Sequence, residues 1–366
     1  MQEALKYFSD IDDPRSERNQ KHPLITLIGT TLLASLAGID SFSGFADYTE
    51  AHYEKLIEYF DFPYGCPSHD TYQRLWDSIS PAQFYKSFVL FTESLTKLTQ
   101  TFINLDGKAI RHSGKEKPLH IVSAWCHANQ LVLAQEKVDS KSNEITALPK
   151  LIELLDLQGR IVTIDAMGAQ RDICAQIVAQ GGDYVISLKG NQGTLHKDVA
   201  DYFKDPKLVA TCDSSEENDK GHGRLEQRVA YSSEMIDWLQ KEHQWPGLKS
   251  IGVVNSFVEK QGKQYEEQRF YISSLPSNAK LLNSAARAHW GIENCLHWRL
   301  DVVFNEDGAC IRNDNAAENI DILRKWALNA LPICKKKPDQ SIKSLMRKNA
   351  MSFQHLMGCV KKIFHA

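Results

Sequence analysis

Two apolar runs in this chain each end in an aspartate, Asn104-Leu105-Asp106-Gly107-Lys108 and Thr163-Ile164-Asp165-Ala166-Met167. Residues at the ends of neighbouring strands of an α/β sheet meet in space however far apart they lie in sequence. Two carboxylates held a few ångströms apart repel unless a cation neutralises them. Mg²⁺ or Mn²⁺ does this while keeping coordination positions for phosphate oxygens. Taken alone, the pattern fits turn residues or helix caps equally well. A third segment adds to it, Arg287-Ala-His289-Trp290-Gly-Ile-Glu293-Asn294-Cys-Leu-His297-Trp298. At about 100° per residue, His289, Glu293 and His297 fall within roughly 80° of arc on a regular helix. One face would then offer a carboxylate flanked by two imidazoles. The plainer alternative is a helix with packed tryptophans and a solvated Glu.

Those residues need a scaffold. Thr101–Asp106 reads as a short strand, followed by strand candidates at His120–Cys126 and Gln130–Val138 with Ala128-Asn129 as a turn. Apolar residues at 145, 148, 151, 152 and 155 form a helical stripe, and Ile161–Asp165 and Asp183–Leu188 read as buried strands separated by a helix. An antiparallel meander followed by alternating strands and helices indicates a mixed α/β layer fold. Past Gly190 the pattern becomes irregular, with strand-like runs at Arg224–Tyr231, Lys249–Val258 and Gln268–Ser273. This predicts a β-rich insertion at about 191–278, closed by a helix over Ala279–Trp298. Residues 1–95 read as all-helical, with proline or cap-type residues before Leu24, Thr71 and Pro81. They suit a DNA-binding, accessory or dimerisation module. The expected division is 1–95, a core over 96–334 and a basic tail over 335–366.

The 366 residues carry 43 Lys or Arg against 46 Asp or Glu, a net charge of −3. The charge is uneven. The last 32 residues hold eight Lys or Arg against Asp339 alone, leaving thirty-five bases against forty-five acids in the first 334. A basic end on an acidic body is compatible with a polyanionic partner. Hydrophobic residues at 42% exclude wholesale disorder. The eight cysteines are at least 15 positions apart, so no CxxC pair or zinc-finger spacing exists and free thiols in a reducing cytoplasm are expected. His222, His289 and His297 invite a zinc reading, but no His/Cys spacing supplies three or four ligands. His112, His120 and His127 are expected to hydrogen-bond within the fold. The apolar stretch Leu24–Ile39 is short for a membrane span and reads as a buried helix.

Several motifs together are distinctive: Asp106-Gly-Lys-Ala-Ile-Arg111, Lys141-Ser-Asn-Glu-Ile145, Thr163-Ile-Asp165-Ala-Met167, Leu188-Lys-Gly-Asn-Gln192, Gly221-His-Gly-Arg224 with Glu226 and Arg228, Trp245-Pro-Gly-Leu-Lys249, Tyr271-Ile-Ser-Ser-Leu275 and the segment His289–Asp307. With Pro67-Ser68-His69-Asp70-Thr71, they resemble over nearly the whole chain the bacterial insertion-sequence transposases that include the H-repeat-associated proteins of Rhs elements. The resemblance implies an RNase H-like mixed sheet with flanking helices, of the DDE type, interrupted by an insertion before the helix bearing the glutamate. Matched residue by residue, Asp106 is the first acid, Asp165 the second and Glu293 the third, with Glu306 and Asp307 as competitors. One departure stands. Related transposases carry a Tyr-Arg-Glu-Lys signature, whose other positions here hold Ala286, His289 and Leu300.

The implied chemistry is cleavage and strand transfer at the ends of a mobile element, with two Mg²⁺ or Mn²⁺ ions held by Asp106, Asp165 and Glu293. The implied partners are double-stranded DNA (terminal inverted repeats and target) and a second copy of the chain, in the cytoplasm at the nucleoid and away from membranes. DNA contact should be mostly to phosphate. The candidates are Lys108, Arg111, Lys189, Asn191, Gln192, Arg224, Arg228, His289 and His297, with the basic tail in addition. Trp245 and Trp290 suit either core packing or stacking on an unpaired base. Two rival readings keep the fold: a stand-alone metal-dependent endonuclease, and a non-catalytic DNA-binding relic.

Overall fold

The computed structural model describes residues 2–95, 102–114, 117–139, 142–221, 224–260 and 262–364. Thr101, Lys141 and His222 lie outside that set. Among the described residues nine strands form one mixed sheet in the order β3-β2-β1-β4-β5-β9-β8-β7-β6. The strands are β1 (Phe102–Ile110), β2 (Leu119–Cys126), β3 (Leu131–Lys137), β4 (Ile161–Ile164), β5 (Asp183–Leu188), β6 (Asp213–Gly221), β7 (Arg224–Ser233), β8 (Ser250–Lys260) and β9 (Lys263–Ser273). β1, β4 and β5 run parallel, and every other pairing is antiparallel. The parallel strands β4 and β5 are apolar along nearly their whole length because helices cover both faces.

One face is closed by the helices Glu144–Glu153, Arg171–Ala179, Gly193–Tyr202 and Asp237–His243, which pack Leu148, Leu151, Ile173, Ile177, Leu195 and Leu239 against Ile103, Leu105, Val162 and Ile186. The helix Ala279–Gly291 crosses the other face, seating Leu282, Ala285 and Ala286 on Val185, Val254 and Tyr271.

Segment 191–278 does more than interrupt the core. β9 pairs with β5 from Val185–Ser273 to Leu188–Phe270, so its strands continue the same sheet. β6 is the strand that apolar periodicity misses. It reads Asp-Ser-Ser-Glu-Glu-Asn-Asp-Lys-Gly, is almost wholly exposed, and forms through pairing with β7 rather than burial. Charge on an edge strand guards against pairing with other chains.

The helices of the first 95 residues do not close a core among themselves. Leu24–Leu36 is buried on nearly every side, as a helix apolar all round must be. Its neighbours include Phe42–Ala51 and, from the far end of the chain, Asp314–Ala330 and Ile342–Met351. Phe8, Leu27, Trp76, Phe91, Trp326, Leu345, Leu356 and Ile363 belong to one apolar cluster. Residues 335–366 therefore contain two folded helices, Ile342–Met351 and Phe353–Phe364. Asn349 fixes them by donating from Nδ2 to the Leu36 carbonyl at 2.8 Å. Their bases Lys343, Arg347, Lys348, Lys361 and Lys362 face solvent on the side away from the cluster. Among the described residues no helix is long and apolar enough to cross a membrane.

Candidate active site

The parallel pairing of β1 with β4 brings Leu105 opposite Ile164, so Asp106 and Asp165 are the next residues along two adjacent strands. Strand β1 runs on past Asp106 to Ile110 rather than ending there, whereas Asp165 stands in the turn that closes β4, and each carboxylate spends one oxygen on backbone amides just after it. Asp106 Oδ1 accepts from the Gly107 amide at 3.0 Å, and Asp165 Oδ1 accepts from Met167 at 3.0 Å and Gly168 at 3.4 Å. Their Oδ2 atoms take no part in those bonds. Asp165 thus does cap a turn, as a bland reading would have it, while keeping one oxygen for other work.

Glu293 arrives from the opposite face. The helix Ala279–Gly291 is anchored over the sheet by His289, whose Nδ1 lies 3.0 Å from Thr163 Oγ1 on β4. It then widens into a π-helical turn over Ile292–His297, where the Trp298 amide bonds the Glu293 carbonyl five residues back, before Trp298–Val302 resumes α geometry. The regular 100° spacing therefore fails here. Glu293 is exposed while His297 turns inward, its Nδ1 3.6 Å from Asp106 Oδ2. Single π turns inside α-helices recur at functional positions.

The electrostatics follow from this convergence. Burial, then the charges of Glu144, Asp165 and Glu293, push the Asp106 carboxyl up to about 7. Burial also pushes His289 down to about 4, helped by Arg269 and Lys189, and His297 down to about 3, helped by Lys108 and Lys325. Both imidazoles are neutral at pH 7 and bring no positive charge for phosphate. Among the described residues these carboxylates have no lysine or arginine partner, and carboxylates are hard oxygen donors of the kind that suits Mg²⁺ or Mn²⁺. On that chemistry, the residues present fit a divalent cation.

Glu306 and Asp307 are placed elsewhere. Glu306 is buried and, with Asp301, takes the Lys108 ammonium. Asp307 Oδ1 accepts from the Arg111 amide at 3.0 Å. Asp301, Glu306 and Asp307 have oxygens close enough to share an ion, as do ligand atoms of Asp198, Glu242 and His243. The first of these groups already holds a lysine.

Comparison with known proteins now bears on the geometry. The family model described as "Transposase DDE domain" matches residues 97–330, and one described as "DDE_Tnp_1-associated" matches residues 5–92. This chain belongs to the DDE transposase family. It is 38% identical over 367 residues to "H repeat-associated putative transposase YhhI" of Escherichia coli (strain K12), covering 97% of each chain. It is 40% identical over 347 residues to "Putative transposase YncI" of Escherichia coli O157:H7, covering 92% of this chain and 88% of that one.

The basic residues singled out from the sequence of this DDE chain divide into two groups. Lys108 is 15% exposed and bound inward to Asp301 and Glu306. Arg228 is 7% exposed and bonds Glu226 at 2.7 Å, Glu217 at 3.1 Å and Asn283 at 3.3 Å. Both hold the fold together. Arg111 has a side chain 78% exposed, and Lys189 is exposed at the end of β5. Asn191 and Gln192 brace the Lys189 turn against the second acid, donating to the Ala166 carbonyl at 2.7 Å and the Ala169 carbonyl at 2.6 Å. Arg224 pairs with Glu226 at 2.6 Å and lines a cavity of about 530 Å³ beside the π turn. Lys260, Arg269, Arg287, Trp290 and Asn294 line it too. One face of Trp290 is covered by the Arg269 guanidinium, 4.4 Å from the ring centroid. Trp245 is a core residue, 4% exposed, donating from its indole to Cys174 Sγ.

One acid went unnoticed at the level of sequence. Glu144 contributes to the field on Asp106 ahead of Asp165 and Glu293. Its only signal is its place in the Ser-Asn-Glu-Ile run, directly after an N-cap asparagine.

Proposed function

We propose that this DDE transposase cuts DNA at the ends of its element and joins the freed 3′ ends to a target, using Asp106, Asp165 and Glu293. What supports the reading is that Asp106 and Asp165 follow paired positions on β1 and β4, that Asp165 and Glu293 lie within electrostatic reach of Asp106, and that among the described residues no lysine or arginine is bonded to any of the three. When bound there, divalent ions would supply an activated water and stabilise the leaving 3′ oxygen. The two aspartates present one oxygen each, fixed by the backbone amides that hold the other. Glu293 projects from the widened turn, and His297 packs against Asp106. His289 pins the helix to Thr163 and so sets how far Glu293 reaches across β1 and β4. Lys189, braced at the second acid, and Arg111 would meet the phosphate backbone near the cut. The cavity lined by Lys260, Arg269 and Arg287 continues that basic path along the Glu293 helix. A reaction on two ends calls for two copies of the chain.

The test is incubation of labelled DNA carrying the element's terminal repeat with a circular target, in Mg²⁺, Mn²⁺ or EDTA, beside Glu293→Gln and Asp165→Asn. Nicking at the repeat boundary with joined products, lost in both variants and in EDTA, is the expected result. Cleavage without joining would point to an endonuclease. Binding without cleavage by the unaltered chain would overturn the catalytic reading.

A further inference from the structure

We propose that Asn104 is a positioning residue of the active site: it clips the backbone of the Glu293 helix to the two acid-bearing strands and, through Thr163, decides which ring nitrogen of His289 carries the proton. This rests on the reading of Asp106, Asp165 and Glu293 given above and adds a residue that acts through them.

Asn104 and Thr163 stand opposite each other in the parallel pairing of β1 with β4. Each lies two residues before an acid, Asp106 and Asp165, and side chains two apart on a strand share a face. The intervening Leu105 and Ile164 point the other way, into the apolar layer. Both Asn104 and Thr163 are buried, so a polar pair sits one step below the acid pair, under the helix Ala279–Gly291. The Asn104 amide satisfies every neighbour in one orientation. Oδ1 accepts from Thr163 Oγ1 at 2.6 Å and from the His289 amide at 3.2 Å, while Nδ2 donates to the Ala288 carbonyl at 3.3 Å. Thr163 Oγ1, its proton given to Asn104, can only accept from His289 Nδ1 at 3.0 Å. In the neutral imidazole this puts the proton on Nδ1 and leaves Nε2 bare.

For stability alone, an apolar pair at 104 and 163 would pack as well and leave no bonds to satisfy. What apolar contact does not give here is register. The helix rests on the sheet through Leu282 and the small residues Ala285, Ala286 and Ala288. Methyl groups interlock little and resist sliding or turning weakly. Directional bonds to the backbone at Ala288 and His289 hold the helix at one height, about one turn before Glu293. The same two side chains stand on the strands that carry the aspartates, so one clip sets the three acids relative to one another. The tolerance is small, since a shift of about 1 Å at a reacting centre can cost about a hundredfold in rate.

The test joins a spectroscopic reading to a kinetic one. In the metal-free chain labelled with ¹⁵N-histidine, the His289 signals, assigned by their loss in His289→Gln, should show Nδ1 protonated near neutral pH. Asn104→Leu frees the Thr163 hydroxyl to donate to Nδ1, so the proton should move to Nε2, and Thr163→Val should have the same effect. Single-turnover cleavage of terminal-repeat DNA in Mg²⁺ should fall about 10- to 100-fold in Asn104→Leu, with DNA affinity and melting midpoint kept. The double variant should cleave no more slowly than the weaker single one, because the two side chains form one clip. Thr163→Val carries the test if Asn104→Leu fails to fold. A fall in cleavage only alongside a collapsed melt, in both variants, would reduce the pair to a structural role. Asp165→Asn is the reference. If it is inactive while Asn104→Leu and Thr163→Val cleave as the unaltered chain does, positioning is refuted and the three-acid reading survives. If Asp165→Asn also cleaves, both readings fall. An Nε2–H imidazole in the unaltered chain would show that the clip does not form, whether or not that chain cleaves.

Discussion

Lys108 and Asp106 lie two residues apart on the same face of β1, yet the ammonium bonds Asp301 and Glu306 and leaves the aspartate among carboxylates. Among the described residues, the cation that strand geometry places beside the first acid is thereby held off it.

A stability signature in the absence of metal follows. The Asp106 carboxyl, raised from 3.8 to about 7 by burial and three like charges, binds its proton more readily folded than unfolded. Stability in EDTA should therefore fall as pH rises from about 4 to about 7. Asp106→Asn removes that penalty, so at pH 8 the variant should be the more stable chain by on the order of 2 kcal/mol. Near pH 4 the two should be equal. Urea unfolding in EDTA at both pH values checks this, and a variant less stable than the unaltered chain at pH 8 would contradict it.

Lys108 should behave as a structural residue. Lys108→Ala leaves Glu306, 1% exposed, without its counter-charge. The cost is about 3–5 kcal/mol. Pairing Lys108→Met with Glu306→Leu should recover much of it. Denaturant midpoints of the three chains give the answer. A Lys108→Ala chain of full stability but weak DNA binding would return this lysine to the DNA surface.

Phosphate contacts can be separated from internal ion pairs by their salt dependence. Lys189→Ala and Arg111→Ala should each lower the slope of log K against log salt by about 1 while leaving unfolding unchanged. Arg228→Ala should destabilise the chain and leave the slope of the folded fraction as it was. Fluorescence anisotropy on terminal-repeat DNA at several salt concentrations distinguishes the two classes.

The C-terminal basic residues call for point changes rather than truncation. Cutting before Lys335 removes Ile342, Leu345, Leu356 and Ile363 from the cluster around Trp76 and Phe91. Each such side chain contributes about 1.5–3 kcal/mol, so the shortened chain should lose its cooperative melt. Neutralising Lys343, Lys348, Lys361 and Lys362 together should leave the melt intact. If DNA affinity is also unchanged at low salt, these residues form a solvated face.

Much of this architecture was legible in the residues. Ile161–Ile164 and Asp183–Leu188 announce parallel strands because burial on both faces leaves continuous apolar runs. The first two acids stand out because each directly follows or ends such a run. The rest needed long-range partners. β6 has no apolar face to read and exists because β7 pairs with it. The π turn breaks the spacing on which the Glu293 face was reckoned, and no residue between Ile292 and His297 marks it. Glu144 looks like any acid in a first helical turn until Gly107 is placed beside it. The helices after Lys335 read as a charged tail because their buried side is completed by residues more than three hundred positions earlier.

That last feature separates the order of synthesis from the order of folding. Phe8 and Leu27 leave the ribosome long before Trp326, Leu345 and Ile363 exist to cover them. At about 5–20 residues per second the wait is on the order of tens of seconds. Until then the amino-terminal helices must bear an uncovered apolar face. A polypeptide released early would never close it, and chaperones and proteases would meet such fragments as incompletely folded chains.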